Sequence, residues 1–574
     1  MLCMRVTEKD EQTRREIEHD IDQHLQAVIN LRRRLNTLIP INRLPPELLA
    51  TIFSFCQDGH WYLNSQPNSR HIAMALRWII TAGVCHHWRE VALQTPRLWA
   101  RVDLDYPVFA RECSLVLAKH SPLYVTAHRW NTEQRAMFNV ITSNTNLIHS
   151  IDLETFQFAP PSGGLDPIPP ATFPLRSIRI SNTHSSLSTF PNVFEKCEFP
   201  AIQKLELEGC IGNLPSCLLG PTLVHMKIIA FFEFIDPAKF THCLSQMPRL
   251  QSLHIQGLSF RKETDKGVPV LLTKKILLPS LHQLVLQPPS REEEDYVSLL
   301  KNLEMPIVTR TRFMFPYISV QDLPGLLHAV LETLHSFTFR SLSLCVMDGG
   351  FIVGLFENPF HPSVLEENDL DPPFDIWLPI SSQIQRILWD GFLHFIYLHR
   401  IETIHLDVDT DDTDDWRRLF RKCHHLKNLS IVGKFALQIV KLLHETEEIK
   451  ADDGNMVSQL IVPELETIYL ANMIWRSWAH EDDELTDNLV SVVKERKEAG
   501  FPIEKVVIKR CTNMYRPDVD MIQGAGVEAE WDGNIDIEDP EYEETNFDYD
   551  DDDDDDRYEV QPEDLFDDDE LYAF

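Results

Sequence analysis

The chain has 574 residues, 43% hydrophobic and 25% charged, with a formal net charge of −35. Such a composition supports a sizeable core and two to four domains, and its acidity argues against nucleic-acid binding through a broad basic face. The charge is uneven: residues 528–574 hold 24 acids against Arg557 alone, a charge of −23, which leaves −12 for the other 527 residues.

The first 30 residues have no apolar run behind a basic start, and no stretch approaches about 18 continuous apolar residues, so neither a secretory signal nor a membrane span is expected. The eleven cysteines are scattered without a C-x-x-C pair. Reduced thiols in a cytoplasmic or nuclear protein are therefore the expectation.

Residues 5–39 read as one helix. Ile17, Ile21, His24, Val28, Leu31, Leu35 and Leu38 follow alternating steps of four and three, the spacing of a heptad seam. The run covers about three heptads and is marginal alone. It either packs within its own chain or self-associates with a second copy. Pro40 ends it.

Residues 40–104 read as a helical unit. Pro45 and Pro46 suit a first helical turn, and Leu48, Leu49, Ile52, Phe53 and Phe55 mark an amphipathic helix over 45–56. A polar and aromatic loop is expected from about Gln57 to Arg70. A second helix is expected from Ile72 to Trp88, with Val84, Cys85 and Trp88 on one face. Pro96, Leu98 and Trp99 close the unit. Residues 105–144 read as a linker or cap.

From about residue 145 the pattern apolar-x-x-apolar-x-apolar recurs. It begins at Ile148, Leu175, Ile202, Leu223, Leu250 and Leu281, then at Ile401, Leu426, Leu465 and Ile503. Each copy predicts a short strand with one inward face, and helix-compatible segments such as 237–246 and 292–303 lie between copies. Ser290 and Glu293 form a capping-box pattern for the latter. One strand and one helix cannot bury their apolar faces alone, whereas stacked units share a continuous core, so residues 145–525 read as an α/β solenoid. Cys210 and Cys511, three residues past their strands, read as structural. Residues 305–400 fit the pattern poorly; Phe339–Val346 is a further strand candidate, and Asp348 to Pro379 reads as an insertion loop. Residues 526–574 read as a disordered acidic tail, with seven consecutive aspartates from Asp550 to Asp556. The fold class expected is α+β: an N-terminal helix, a helical unit, an irregular solenoid and the tail.

Catalytic patterns fail on inspection. The stretch from Asp407 lacks the glycine and glutamate of a calcium loop, having Asp412 and Arg418 there. Cys85–His87 and Cys423–His425 are consecutive residues that do not converge. No phosphate loop, nucleophile elbow or dinucleotide glycine triplet occurs. No enzyme activity, cofactor or metal site is expected.

Taken together, Ile41, Leu44, Pro45, Pro46, Glu47, Leu48, Leu49, Ile52 and Phe53, then Val84, Cys85, Trp88, Arg89, Val91, Ala92, Pro96, Leu98 and Trp99, resemble the F-box, and in detail the F-box-like domains of large fungal families. The resemblance implies docking on a Skp-type adaptor, and through it on a cullin–RING ubiquitin ligase, by Leu44, Pro45, Leu48, Leu49, Ile52, Phe53, Val84 and Trp88. The long segment between the two helices departs from a compact F-box. The later repeats resemble the leucine-rich domain that often follows an F-box and recruits the substrate. The implied substrate contacts are His254, Gln283, His405, Ser430 and Tyr469 on the strand face. The competing expectation is a non-ligase scaffold with a degenerate F-box, whose repeats and acidic tail hold a basic protein.

Overall fold

The computed structural model describes residues 8–62, 79–104, 108–127, 134–154, 170–181, 188–189, 196–211, 216–260, 275–289, 293–333, 338–347, 350–359, 372–379, 386–387, 391, 398–407, 413–433, 435–450, 456–476 and 484–534. Among the described residues four helices come first: α1 (Glu8–Asn36), α2 (Pro46–Tyr62), α3 (Ile79–Gly83) and α4 (His86–Gln94). Pro40 opens a short 3-10 turn between α1 and α2, because proline cannot donate to a continuing helix.

Each of the ten leucine-spaced motifs contributes a strand, and among the described residues seventeen strands form a single sheet. The strands join in chain order and in parallel from Arg101–Asp103 through Leu123–Ala127, Ile148–Glu154, Ser177–Ser181, Lys204–Glu208, His225–Phe234, Ser252–Ser259 and Gln283–Gln287 to Arg310–Met314. There the order reverses. Phe374–Pro379 joins Arg310–Met314 in parallel, Gly350–Phe356 lies antiparallel to it, and Ser341–Met347 lies antiparallel to that. Parallel chain order then resumes with Thr403–Asp407, Asn428–Val432, Thr467–Ala471, Lys505–Lys509 and Glu528–Trp531.

The motif explains the layering. In the copy at Leu175, Ile178 and Ile180 leave the strand on one face, and Leu175 is buried in the turn before it. Helices such as Pro237–Ser245, Glu293–Asn302 and Glu484–Glu498 cover that face, burying Phe240, Leu299 and Leu489 in one continuous core. Each fully buried side chain of this size contributes about 1.5–3 kcal/mol of transfer free energy. Asp236 caps the first of these helices, accepting from the amides of Ala238 and Lys239. Ser290, expected to cap the second, lies outside the described residues.

The structure corrects or sharpens several expectations. The helix from Pro46 runs on to Tyr62, so the loop expected from Gln57 does not begin there. The described part of the second helix is two helices, broken between Gly83 and His86 where Cys85 is fully extended at φ −158° and ψ 170°. The segment 105–144, read as a linker or cap, holds helices Val108–Ala118 and Gln134–Ser143 and the strand Leu123–Ala127, which joins the sheet as a cap would. The segment 348–379, read as a loop, contributes the strands Gly350–Phe356 and Phe374–Pro379. The acidic tail also starts later than residue 526, since Glu528–Trp531 is the sheet's last strand; residues 535–574 lie outside the described part.

Among the described residues no helix is long and apolar enough to cross a membrane.

Candidate functional site

The unit around α2 and α4 is built on an aromatic centre. Phe53 of α2 packs on Trp88 of α4 with ring centroids 5.3 Å apart. Trp88 donates its indole N–H to Asn42 Oδ1 at 2.5 Å, and Asn42 in turn donates to the carbonyl of Asn36 at 2.8 Å. One side chain thus joins the end of α1, the Leu-Pro turn and α4. Trp99 donates to the Ala92 carbonyl at 2.8 Å, and Gln57 donates to that of Leu98 at 3.2 Å, tying α2 and α4 to the start of the sheet.

The eight expected docking residues divide. Leu49 and Phe53 are 0% exposed and face the chain's own core. Helical periodicity puts them one turn apart on the same face, so that face is the inner one. Leu44, Ile52 and Trp88 are half-buried, and Leu44 and Trp88 pack against the core. Pro45 is exposed; Leu48 is 52% and Val84 58% exposed. Phe55 and Ile80, not among the expected eight, are also exposed large apolar side chains of the same unit.

On the sheet, the face turned away from the core carries a row of aligned side chains. Strand register places Asp152, Arg179, Glu206, Lys227 and His254 side by side. Arg179 reaches Asp152 at 3.6 Å and Glu206 at 3.7 Å. Burial, and then the positive charge of Lys227, lowers the pKa of half-buried His254. Gln283 lies two positions off this row and beside Ser252, whose hydroxyl donates to it at 3.2 Å. Farther on, the row reaches Arg312 and Asp375, paired at 2.6 Å; burial dominates and raises the Asp375 pKa despite that guanidinium. His405, Ser430 and Tyr469 follow in register. These three are buried, unlike the exposed recognition face expected of them. His405 Nδ1 and Ser430 Oγ satisfy each other at 2.9 Å, and Tyr469 packs with Ala471 and Val507 in a small apolar cluster on this face.

Residues 41–105 match the family described as F-box-like. The chain carries an F-box-like domain. No curated protein matches the chain. Within the F-box-like domain, the Phe53–Trp88 pair and Asn42 form the frame, while Pro45, Leu48 and Val84 stay on the outside. Asn42 is the residue missed by reading the motif, because the apolar pattern carries no signal for the polar side chain that fixes its corner.

A second group was also missed. Donor atoms of Cys345, His405 and Asp407 lie within 4.8 Å of one another, the one such cluster among the described residues that could hold a metal ion. Burial pushes the Cys345 thiol up to about 11 and the His405 imidazole down to about 4, and it raises Asp407 as well. A thiol, an imidazole and a carboxylate are donor types that a borderline cation such as zinc accepts. Aligning SLSLCV with TIHLDV puts Cys345 opposite Asp407 and Ser343 opposite His405, as the strand register does. That alignment was the available signal.

Proposed function

We propose that this chain is a non-catalytic substrate-recognition subunit of a Skp–cullin–F-box type ubiquitin ligase. The F-box-like domain, as a class, serves protein–protein interaction, and it docks on the Skp-type adaptor that bridges to a cullin. The observation that carries the reading is the division of residues within that domain. Leu49 and Phe53 build its core, which leaves Leu48 and Val84 exposed and free to meet a partner. Large apolar side chains on the surface of a small helical unit are costly to keep unless something covers them.

The sheet supports the second half of the reading. Strands in near chain order, with motif leucines inside and helices on the same side, fit a leucine-rich-repeat-like solenoid that recruits the substrate. The row of half-buried Asp152, Glu206, Lys227 and His254 with exposed Arg179 is the better recognition surface than His405, Ser430 and Tyr469, because its polar ends are accessible.

Co-purification of a Skp-type adaptor with the full chain tests the proposal. Wild type captures the adaptor, and Leu48→Asp with Val84→Asp reduces capture at least about 30-fold, as loss of two anchors of about 1–2 kcal/mol each implies. Both residues are exposed, so the melting temperature stays unchanged. Undiminished capture by the double variant would refute the docking face. No capture by wild type would leave the chain a scaffold with a degenerate F-box.

A further inference from the structure

We propose that two copies of this chain pair through α1 as an antiparallel coiled coil. Every side chain from residue 11 to residue 35 is exposed, so no part of the described chain covers the seam. Ile17, Ile21, Val28, Leu31 and Leu35 each leave between 46 and 64% of their surface in water. An isolated helix that keeps such a stripe is stabilised by a partner, and the heptad spacing fits another helix of the same pitch.

The charges select the partner and its direction. Residues 8–22 carry seven acids against Lys9, Arg14 and Arg15, whereas residues 23–36 carry Arg32, Arg33 and Arg34 and no acid. A second copy running the opposite way lays the acidic half of one helix on the basic half of the other. One register satisfies the seam and the flanks together. It faces Ile17 with Leu35, Ile21 with Leu31, and His24 with Val28, and all three pairs are centred on Gln26. In the same register Glu18 flanks Arg32 and Asp20 flanks Arg34 across the seam, each pair occurring twice by symmetry. A parallel pair instead stacks the three arginines of one copy on those of the other and sets His24 against His24. Glu18 now receives Arg14 at 2.9 Å, but both groups are well exposed, so this contact competes weakly.

The antiparallel register places Asn36 of one copy beside residue 16 of the other. The two F-box-like domains then leave from opposite ends of the coil, about 30 Å apart along its axis at 1.5 Å per residue. The assembly is independent of the ligase reading, because it uses no residue of residues 41–105.

Sedimentation of the full chain over a concentration series tests it. Wild type dimerises reversibly, and Glu18→Arg with Asp20→Arg raises the dissociation constant about 10-fold or more. Adding Arg32→Glu and Arg34→Glu to that variant restores dimerisation. A parallel coil predicts neither effect. For direction, oxidised Ile17→Cys and Leu35→Cys chains are mixed. Antiparallel pairing gives a disulfide-linked dimer in the mixture that neither chain gives alone beyond the wild-type background. A monomer at all concentrations, Ile17→Cys chains that link to themselves, or a quadruple variant that stays monomeric would each overturn the proposal. All these positions lie on the solvent side of α1, so an unchanged melting temperature verifies folding.

Discussion

Asn42 shows how much one side chain decides in the F-box-like domain. Its oxygen accepts the Trp88 indole proton and its amide satisfies the last turn of α1. Replacing it by alanine leaves both partners wanting, so Asn42→Ala destabilises the domain by about 1–3 kcal/mol in thermal or denaturant unfolding. His405 offers a different test. Buried against Ser430, it stays neutral in the fold down to about 4, whereas the unfolded chain takes up a proton near 6.5. Its contribution is therefore present above pH 6.5 and lost as pH falls toward 4, by up to about 3 kcal/mol. His405→Asn removes that component, and comparing melting curves of the two proteins across this window checks it. At this scale the apolar pattern could not tell outward from inward side chains. Adjacent Leu48 and Leu49 look alike in the pattern, and only the packing of Phe53 on Trp88 decides which one turns inward.

At the scale of elements, the ten strands with the apolar-x-x-apolar-x-apolar spacing were legible because each carries its inward face and its buried turn residue in six positions. Arg310–Met314 escaped because RTRFM presents Thr311 rather than an aliphatic residue to the interior. Gly350–Phe356 and Phe374–Pro379 escaped because the surrounding glycines and prolines look like loop punctuation. The last strand was hidden in acidic composition: Glu528 and Glu530 point outward, and Lys505 bridges to Glu530 at 2.7 Å. Ending the chain after residue 534 should leave the melting temperature within about 2 °C of wild type. Ending it after residue 524 strips Lys505–Lys509 of its neighbour and removes buried Val527. That truncation should lower the transition by several degrees, for a loss of about 1–3 kcal/mol.

For the molecule as a whole, the three strands in reversed order are the joint between two stretches of sheet laid down in chain order. Gly350 makes the joint possible. A side chain there would place its Cβ 2.0 Å from the Trp377 ring, so only glycine lets these strands approach. Gly350→Val should therefore weaken the joint rather than either flank. Calorimetry is expected to show one unfolding transition in wild type and two in the variant, while a single lowered transition would show that the flanks do not fold independently.

The same reversal sets a timetable for synthesis. As the chain leaves the ribosome, the edge at Arg310–Met314 is complete, yet its neighbour in the sheet is Phe374–Pro379, about 60 residues later. Ser341–Met347 and Gly350–Phe356 emerge first and must wait beside an edge that is not theirs. For that interval the nascent protein holds an open row of unpaired amides and carbonyls, the period in which mispairing or a chaperone competes with correct growth.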